Sequence, residues 1–77
     1  MEKTCGDAEY TTELISDNAA GWTALVLHKR RKDTTIPAAR VVFWDAAGQF
    51  YLEASVEVPL AIVEELIVEA KSKIKVR

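Results

Sequence analysis

WTALVLHK, the segment from Trp22 to Lys29, shows the clearest alternation of side chains in this 77-residue chain. Successive side chains of a β-strand point to opposite faces, so residues two apart share a face. The segment therefore predicts a strand with two distinct faces. One face carries Trp22, Ala24, Val26 and His28, and the other carries Thr23, Leu25, Leu27 and Lys29.

Three further segments predict strands of the same sheet. EYTTELI (9–15) precedes it, and AARVVFWD (38–45) and QFYLEAS (49–55) follow it; all three are rich in β-branched and aromatic residues. Between the first two strands, SDNAAG (16–21) predicts a reversal, because Asp and Asn bond their own backbone and Gly accepts positive φ. Residues 1–8 are polar and predict a flexible N-terminal segment before a single domain at 9–77.

From Pro59 onwards the apolar spacing changes to three and four, which predicts an amphipathic helix. Proline suits a first turn, and the acids of the first half and the lysines of the second half suit the helix dipole. The predicted fold is α+β: a four-stranded antiparallel sheet followed by one C-terminal helix, in the order β-β-β-β-α. The apolar helix positions are Leu60, Val63, Ile67, Ala70 and Ile74.

One helix covers only one face of a sheet. We expect it to cover the more apolar face, which carries Leu25, Leu27, Val41, Phe43, Phe50 and Leu52. The apolar stripe of the helix is wider than this contact needs, and a core of this size is marginal, so we expect a homodimer formed through the helix. The residues assigned to this dimer interface are Ile62, Leu66 and Val68.

The face left uncovered carries three aromatic residues and a basic one. An exposed patch of this kind indicates an interaction site. Unpaired bases stack on aromatic rings, and a basic run, HKRRK (28–32), is suited to phosphates. The residues predicted to bind single-stranded DNA or RNA are Trp22, Lys29, Arg30, Arg31, Lys32, Arg40, Trp44 and Tyr51. Alternatively, the rings are buried by a partner subunit or by the N-terminal segment, and the run is a solvated hairpin tip.

The distribution of charge along the chain does not decide between a nucleic acid and a polypeptide as the partner. Residues 28–44 carry five bases and one acid, whereas residues 45–70 carry six acids and no base. Glu53 and the acidic first strand would repel phosphate. A protein-interaction module that docks a polypeptide on the aromatic face is therefore the second hypothesis, and a small enzyme using Glu53 and Asp45 is the third.

The residue inventory predicts no catalytic, metal or cofactor site. One His and one Cys form no zinc site, and the three glycines stand apart from one another. Cys5 is interpreted as a free thiol in a reducing compartment. No apolar run approaches the ~20 residues of a membrane span, and no signal peptide is apparent, so we expect a cytoplasmic protein without a membrane partner.

Two short patterns resemble a known family. Glu13-Leu14 precedes the turn SDNAAGW (16–22), and Arg40 stands shortly before Trp44. Over residues 9–74 the chain resembles the bacterial single-stranded-DNA-binding relatives of the transcriptional coactivator positive cofactor four. The resemblance implies a β-β-β-β-α homodimer joined by its helices, acting in transcription or DNA maintenance. It implies binding roles for Trp22, Arg40, Trp44 and the loop lysines and arginines, although the family's Gly-Lys-Gly-Ile-like segment is absent and Glu53 stands there.

Overall fold

The computed structural model describes residues 1–75 and consists of one antiparallel sheet followed by one helix. Each strand pairs with the preceding one, so chain order and sheet order are the same. This confirms the predicted α+β fold, with one strand more than expected. The elements are β1 (Glu2–Cys5), β2 (Ala8–Asp17), β3 (Trp22–Arg31), β4 (Thr34–Trp44), β5 (Gln49–Ala54) and α1 (Leu60–Lys73).

The additional strand lies where the sequence predicted a flexible segment at 1–8, so that prediction is wrong. β1 pairs with β2 from Glu2 opposite Thr11 to Cys5 opposite Ala8, around a tight turn in which Gly6 has φ 64°. A Gly-Asp pair is a hairpin signal, but the flanking residues are too polar to alternate visibly. β1 is held by backbone hydrogen bonds to β2, and the polarity of its side chains gives no sign of these bonds. The end of the predicted domain, residues 76–77, lies outside the described residues.

The helix packs on the face of the sheet that carries Leu25, Leu27, Val41 and Phe43, as predicted. This face is called the covered face below. The helical stripe that packs on it is rotated from the predicted one, since Leu60 is 79% exposed and Val63 and Ile67 are only partly buried. The helix residues in the core, Ile62, Leu66 and Ala70, recur every four positions, and the C-cap residue Ile74 continues this spacing.

This rotation also corrects the predicted dimer interface. Ile62 and Leu66 lie in the core of their own chain and cannot contact a second one. Of the three assigned residues, only Val68 is at the surface, where 69% of it is exposed. The contact between helix and sheet therefore uses Ile62 and Leu66, the two positions that were assigned to a partner chain. Within residues 1–75, no helix has the length and apolar content needed to cross a membrane.

A small polar network joins β1, β2 and α1 at one carboxylate. The N-terminal ammonium of Met1 lies 3.0 Å from Glu69 Oε1 and donates a 2.6 Å hydrogen bond to Thr12 Oγ1. Thr12 Oγ1 donates to Glu69 Oε2 at 2.8 Å, and Lys73 Nζ donates to the same oxygen at 2.7 Å. The network ties the short edge strand to the helix.

Glu69 should make stability depend on pH. Partial burial raises its pKa, but hydrogen bonds from Lys73, the amino terminus and Thr12 outweigh burial and hold the pKa below the usual 4.5. A lowered folded-state pKa contributes stability above the unfolded-state pKa, and this contribution is lost as pH falls through the folded value. We expect Glu69→Gln to lower the free energy of unfolding by about 1–2 kcal/mol at neutral pH.

Urea unfolding at pH 7 and at several pH values below 4.5 measures this effect. The difference between wild type and Glu69→Gln should shrink as the pH falls, because protonation of the wild-type carboxylate mimics the substitution. Glu64→Gln, an exposed position on the same helix, is the matched control and should be nearly neutral throughout. A difference that stays constant with pH would show that the charge of Glu69 is not what stabilises the fold.

Candidate functional site

The face of the sheet opposite α1 is called the open face. Residues directly opposite each other in an antiparallel pair share a face, so the strand registers define its side chains. No described element packs on it. From β2 to β5 it contains three rows: Asp17, Trp22, Trp44 and Gln49; Ile15, Ala24, Val42 and Tyr51; Glu13, Val26, Arg40 and Glu53.

Two turns at the same end of the sheet place the tryptophans. In the β2–β3 turn, the Gly21 amide donates to the Asp17 carbonyl at 2.8 Å, and Gly21 has φ 78°, a conformation that glycine adopts without strain. The Gly21 carbonyl accepts a 2.9 Å hydrogen bond from the Asp45 amide, at the start of the β4–β5 turn. The two turns are thereby joined, and Trp22 and Trp44, which follow and precede them, lie opposite each other.

Trp22, Trp44 and Tyr51 form an aromatic patch at this end of the open face. The ring centroids of Trp22 and Trp44 are 6.4 Å apart, with the planes tilted by 57°. Trp44 is 36% exposed and Tyr51 is 49% exposed. Ala24 and Val42, in the neighbouring row, are buried although no described element covers them. The larger side chains around them, which face solvent, therefore shield them from water.

Arg40 lies one row from Val42 and Tyr51 on the same face. Its Nη2 is 3.5 Å from Glu53 Oε2, a long and exposed contact. Its Nε is shielded from solvent and has no hydrogen-bond acceptor within residues 1–75. Exposed ion pairs contribute about 0–1 kcal/mol, so this arginine can exchange its carboxylate for another oxygen at little cost.

Carboxylates are the more numerous charges on the open face. Beyond Arg40, its other basic side chains also have acidic neighbours. Arg30 Nη2 is 2.9 Å from Glu9 Oε2, and His28 Nε2 is 3.5 Å from Glu13 Oε1. Around the aromatic patch the field is therefore negative. The acids on this face are Glu2, Glu9, Glu13, Asp17 and Glu53.

The basic run is not brought together with the aromatic patch. Lys29 lies on the covered face, where its Nζ is 6.0 Å from the centroid of the Tyr10 ring. The run lies at the far end of β3 from the patch. Nine residue-to-residue steps along the strand separate Trp22 from Arg31, a distance of about 30 Å.

The remaining residues of the run are also dispersed. Arg31 is on the covered face, with its Nε 3.4 Å from Asp7 Oδ1, and Lys32 is in the β3–β4 turn with φ 55°. Within the run, His28 and Arg30 lie on the open face with the patch. The predicted site is therefore divided: the patch and Arg40 are neighbours, and Lys29, Arg31 and Lys32 are elsewhere.

Sequence reasoning missed the contribution of β2 to this face. Ile15 is exposed in the row of Tyr51, and Glu13 and Asp17 border the rows of Arg40 and Trp22. The signal was available, because a tight turn at 18–21 places Asp17 opposite Trp22 and fixes every partner behind it. The alternation of β2 is interrupted by threonines, which obscured the two faces.

The geometry gives little support to metal binding or to catalysis. Within residues 1–75, no group of three or more His, Cys, Asp and Glu side chains is arranged to hold a metal ion. Glu53 is engaged with Arg40, and Asp45 lies in the turn beyond the other end of β5. Cys5 is exposed on the edge strand β1. Comparison with protein-family models, with curated proteins and with solved structures finds no match to this chain.

Proposed function

We propose that the open face is a non-catalytic binding surface for single-stranded nucleic acid, DNA in preference to RNA, in the cytoplasm. The aromatic patch is the observation that carries this proposal: Trp22, Trp44 and Tyr51 are neighbours on a face that no described element covers. Stacking on such rings contributes about 1–3 kcal/mol per base and requires unpaired bases. The resemblance of the SDNAAGW turn supports the same class of ligand and a role in transcription or DNA maintenance.

The charges of the open face define how a single-stranded nucleic acid would lie on it. Glu13, Asp17 and Glu53 border the patch, so phosphates close to the sheet would be repelled. We therefore place the bases against the rings and the phosphates towards solvent, with Arg40 as the principal phosphate contact. Each phosphate contact of a single strand changes the salt exponent by about −0.7, so one or two contacts give a slope of about −1.

Removing the charge of Glu53 tests this arrangement. Glu53→Gln frees Arg40 from the Glu53 carboxylate and lowers the negative field. The affinity of this variant for a fluorescent oligothymidine should therefore rise about three- to tenfold. Fluorescence anisotropy gives the affinity, and quenching of tryptophan emission reports on stacking. Glu64→Gln, on the helix at the opposite side of the molecule, is the control and should leave the affinity unchanged. Unchanged or weaker binding by Glu53→Gln would contradict the proposed pose.

The excess of carboxylates favours a second candidate, the docking of a basic polypeptide. Lysine and arginine side chains bind over aromatic rings, and nearby acids such as Glu13 and Glu53 strengthen that contact. An arginine-rich peptide is the probe for this function. The same Glu53→Gln variant should bind it more weakly, which is the opposite of the effect expected with oligothymidine. The sign of the change therefore decides between the two functions.

A further inference from the structure

The two edges of the sheet are protected very differently. The outer strand β1 has only four residues, EKTC, and the Nζ of its Lys3 forms a 2.8 Å ion pair with Glu65 of α1. β5 has six residues, QFYLEA, with neither lysine nor proline and a single charge at Glu53. In natural proteins, short strands, lysine, proline or bulges at an exposed sheet edge prevent it from pairing with another chain. β5 has none of these features.

The backbone of β5 also has free pairing groups. The Ser55 amide donates a 2.9 Å hydrogen bond to the Ala38 carbonyl, so residue 55 points its backbone groups towards β4. Pairing groups alternate along an antiparallel strand. By this alternation the N–H and C=O groups of Phe50, Leu52 and Ala54 point away from β4, at the outer edge of the sheet.

The side chains that belong to these three residues are apolar; Leu52 and Ala54 are exposed, and Phe50 is partly buried against the core. Five of the six β5 residues are exposed, including Tyr51 on the open face and Leu52, which is 51% exposed, on the covered face. The outer surface of the helix is less suited to a contact, because its exposed apolar residues Leu60 and Val68 are interspersed with charged side chains such as Glu64.

We infer that β5 pairs antiparallel with β5 of a second copy of this chain, about a two-fold axis at Leu52. In this register Leu52 faces its own copy and Phe50 faces Ala54, so all three outward-pointing residues of each strand are paired. Tyr51 faces Glu53, and no two like charges lie opposite each other. A second copy is the occupant because the apolar residues of β5 face one another in this register, and its one charge, Glu53, does not face its own copy. The two sheets become one, with both open faces on the same side.

Leu52→Lys tests the inference, since it places two lysines at the axis while a half-exposed position tolerates the change in the monomer. Light scattering with size-exclusion chromatography should show a wild-type dimer, and the dimer dissociation constant should rise at least about tenfold in the variant. Val68→Lys is the matched control and should remain dimeric. Circular dichroism verifies that each variant is folded.

A second measurement does not depend on how Leu52→Lys folds. In a Cys5→Ser background, Leu52→Cys should form an interchain disulfide on mild oxidation, because directly opposite Cα atoms of a hydrogen-bonded pair lie about 5.5 Å apart. Val68→Cys in the same background should not. A monomeric wild type, a dimer unaffected by Leu52→Lys, or a dimer lost only in Val68→Lys would each overturn the inference.

Discussion

Leu66→Ala is expected to lower the free energy of unfolding by about 2–5 kcal/mol, which is much of the stability of a domain of this size. Leu66 is fully buried and belongs to the core cluster that includes Leu25 and Leu27. Truncating it removes apolar burial and leaves a cavity between helix and sheet. The remaining helix contacts are too few to compensate, because within residues 1–75 a single helix covers this face.

Urea denaturation followed by circular dichroism measures the effect, and Val68→Ala on the same helix is the control. Val68 is largely exposed, so its truncation should change the free energy of unfolding by less than about 0.5 kcal/mol. If Leu66→Ala were as stable as Val68→Ala, the helix would present Leu66 outwards. The dimer interface predicted from the sequence would then be restored.

Trp44→Ala is expected to weaken the binding of oligothymidine by about 5- to 150-fold while the protein stays folded. The ring is partly exposed on the open face and contributes one of the three surfaces on which a base can stack. Its loss also exposes the edge of Trp22, which packs against it at 6.4 Å. Trp44→Phe retains an aromatic face and should recover part of the affinity.

Anisotropy titration and thermal unfolding should be measured on the same preparations. Leu14→Ala is the control, because Leu14 is a similarly exposed apolar residue on the covered face and should leave binding unchanged. Unaltered affinity in Trp44→Ala would exclude this ring as a stacking surface. Loss of the folded state would show instead that the tryptophan pair is part of the core.

The sequence by itself determined the features that repeat locally along the chain. The alternation in 22–29 and 38–45 predicted two central strands and their faces, and the change of spacing after Pro59 predicted the helix. That Trp22, Trp44 and Arg40 share a face also followed from it, because alternation assigns each residue of a strand to one face. These predictions hold since side-chain periodicity is a property of each segment alone.

Only the tertiary structure decided which residues of each segment are buried and which strands pair. The helical stripe was wide enough to pack in more than one rotation, and docking on the sheet buried Ile62 and Leu66 in place of Leu60. β1 depends on hydrogen bonds to β2, which its own polar residues do not signal.

The separation of the basic run from the aromatic patch follows from the length of β3, and the negative field around the patch follows from pairing with β2. The negative field thus depends on contacts between strands. Local periodicity carries no information about such contacts.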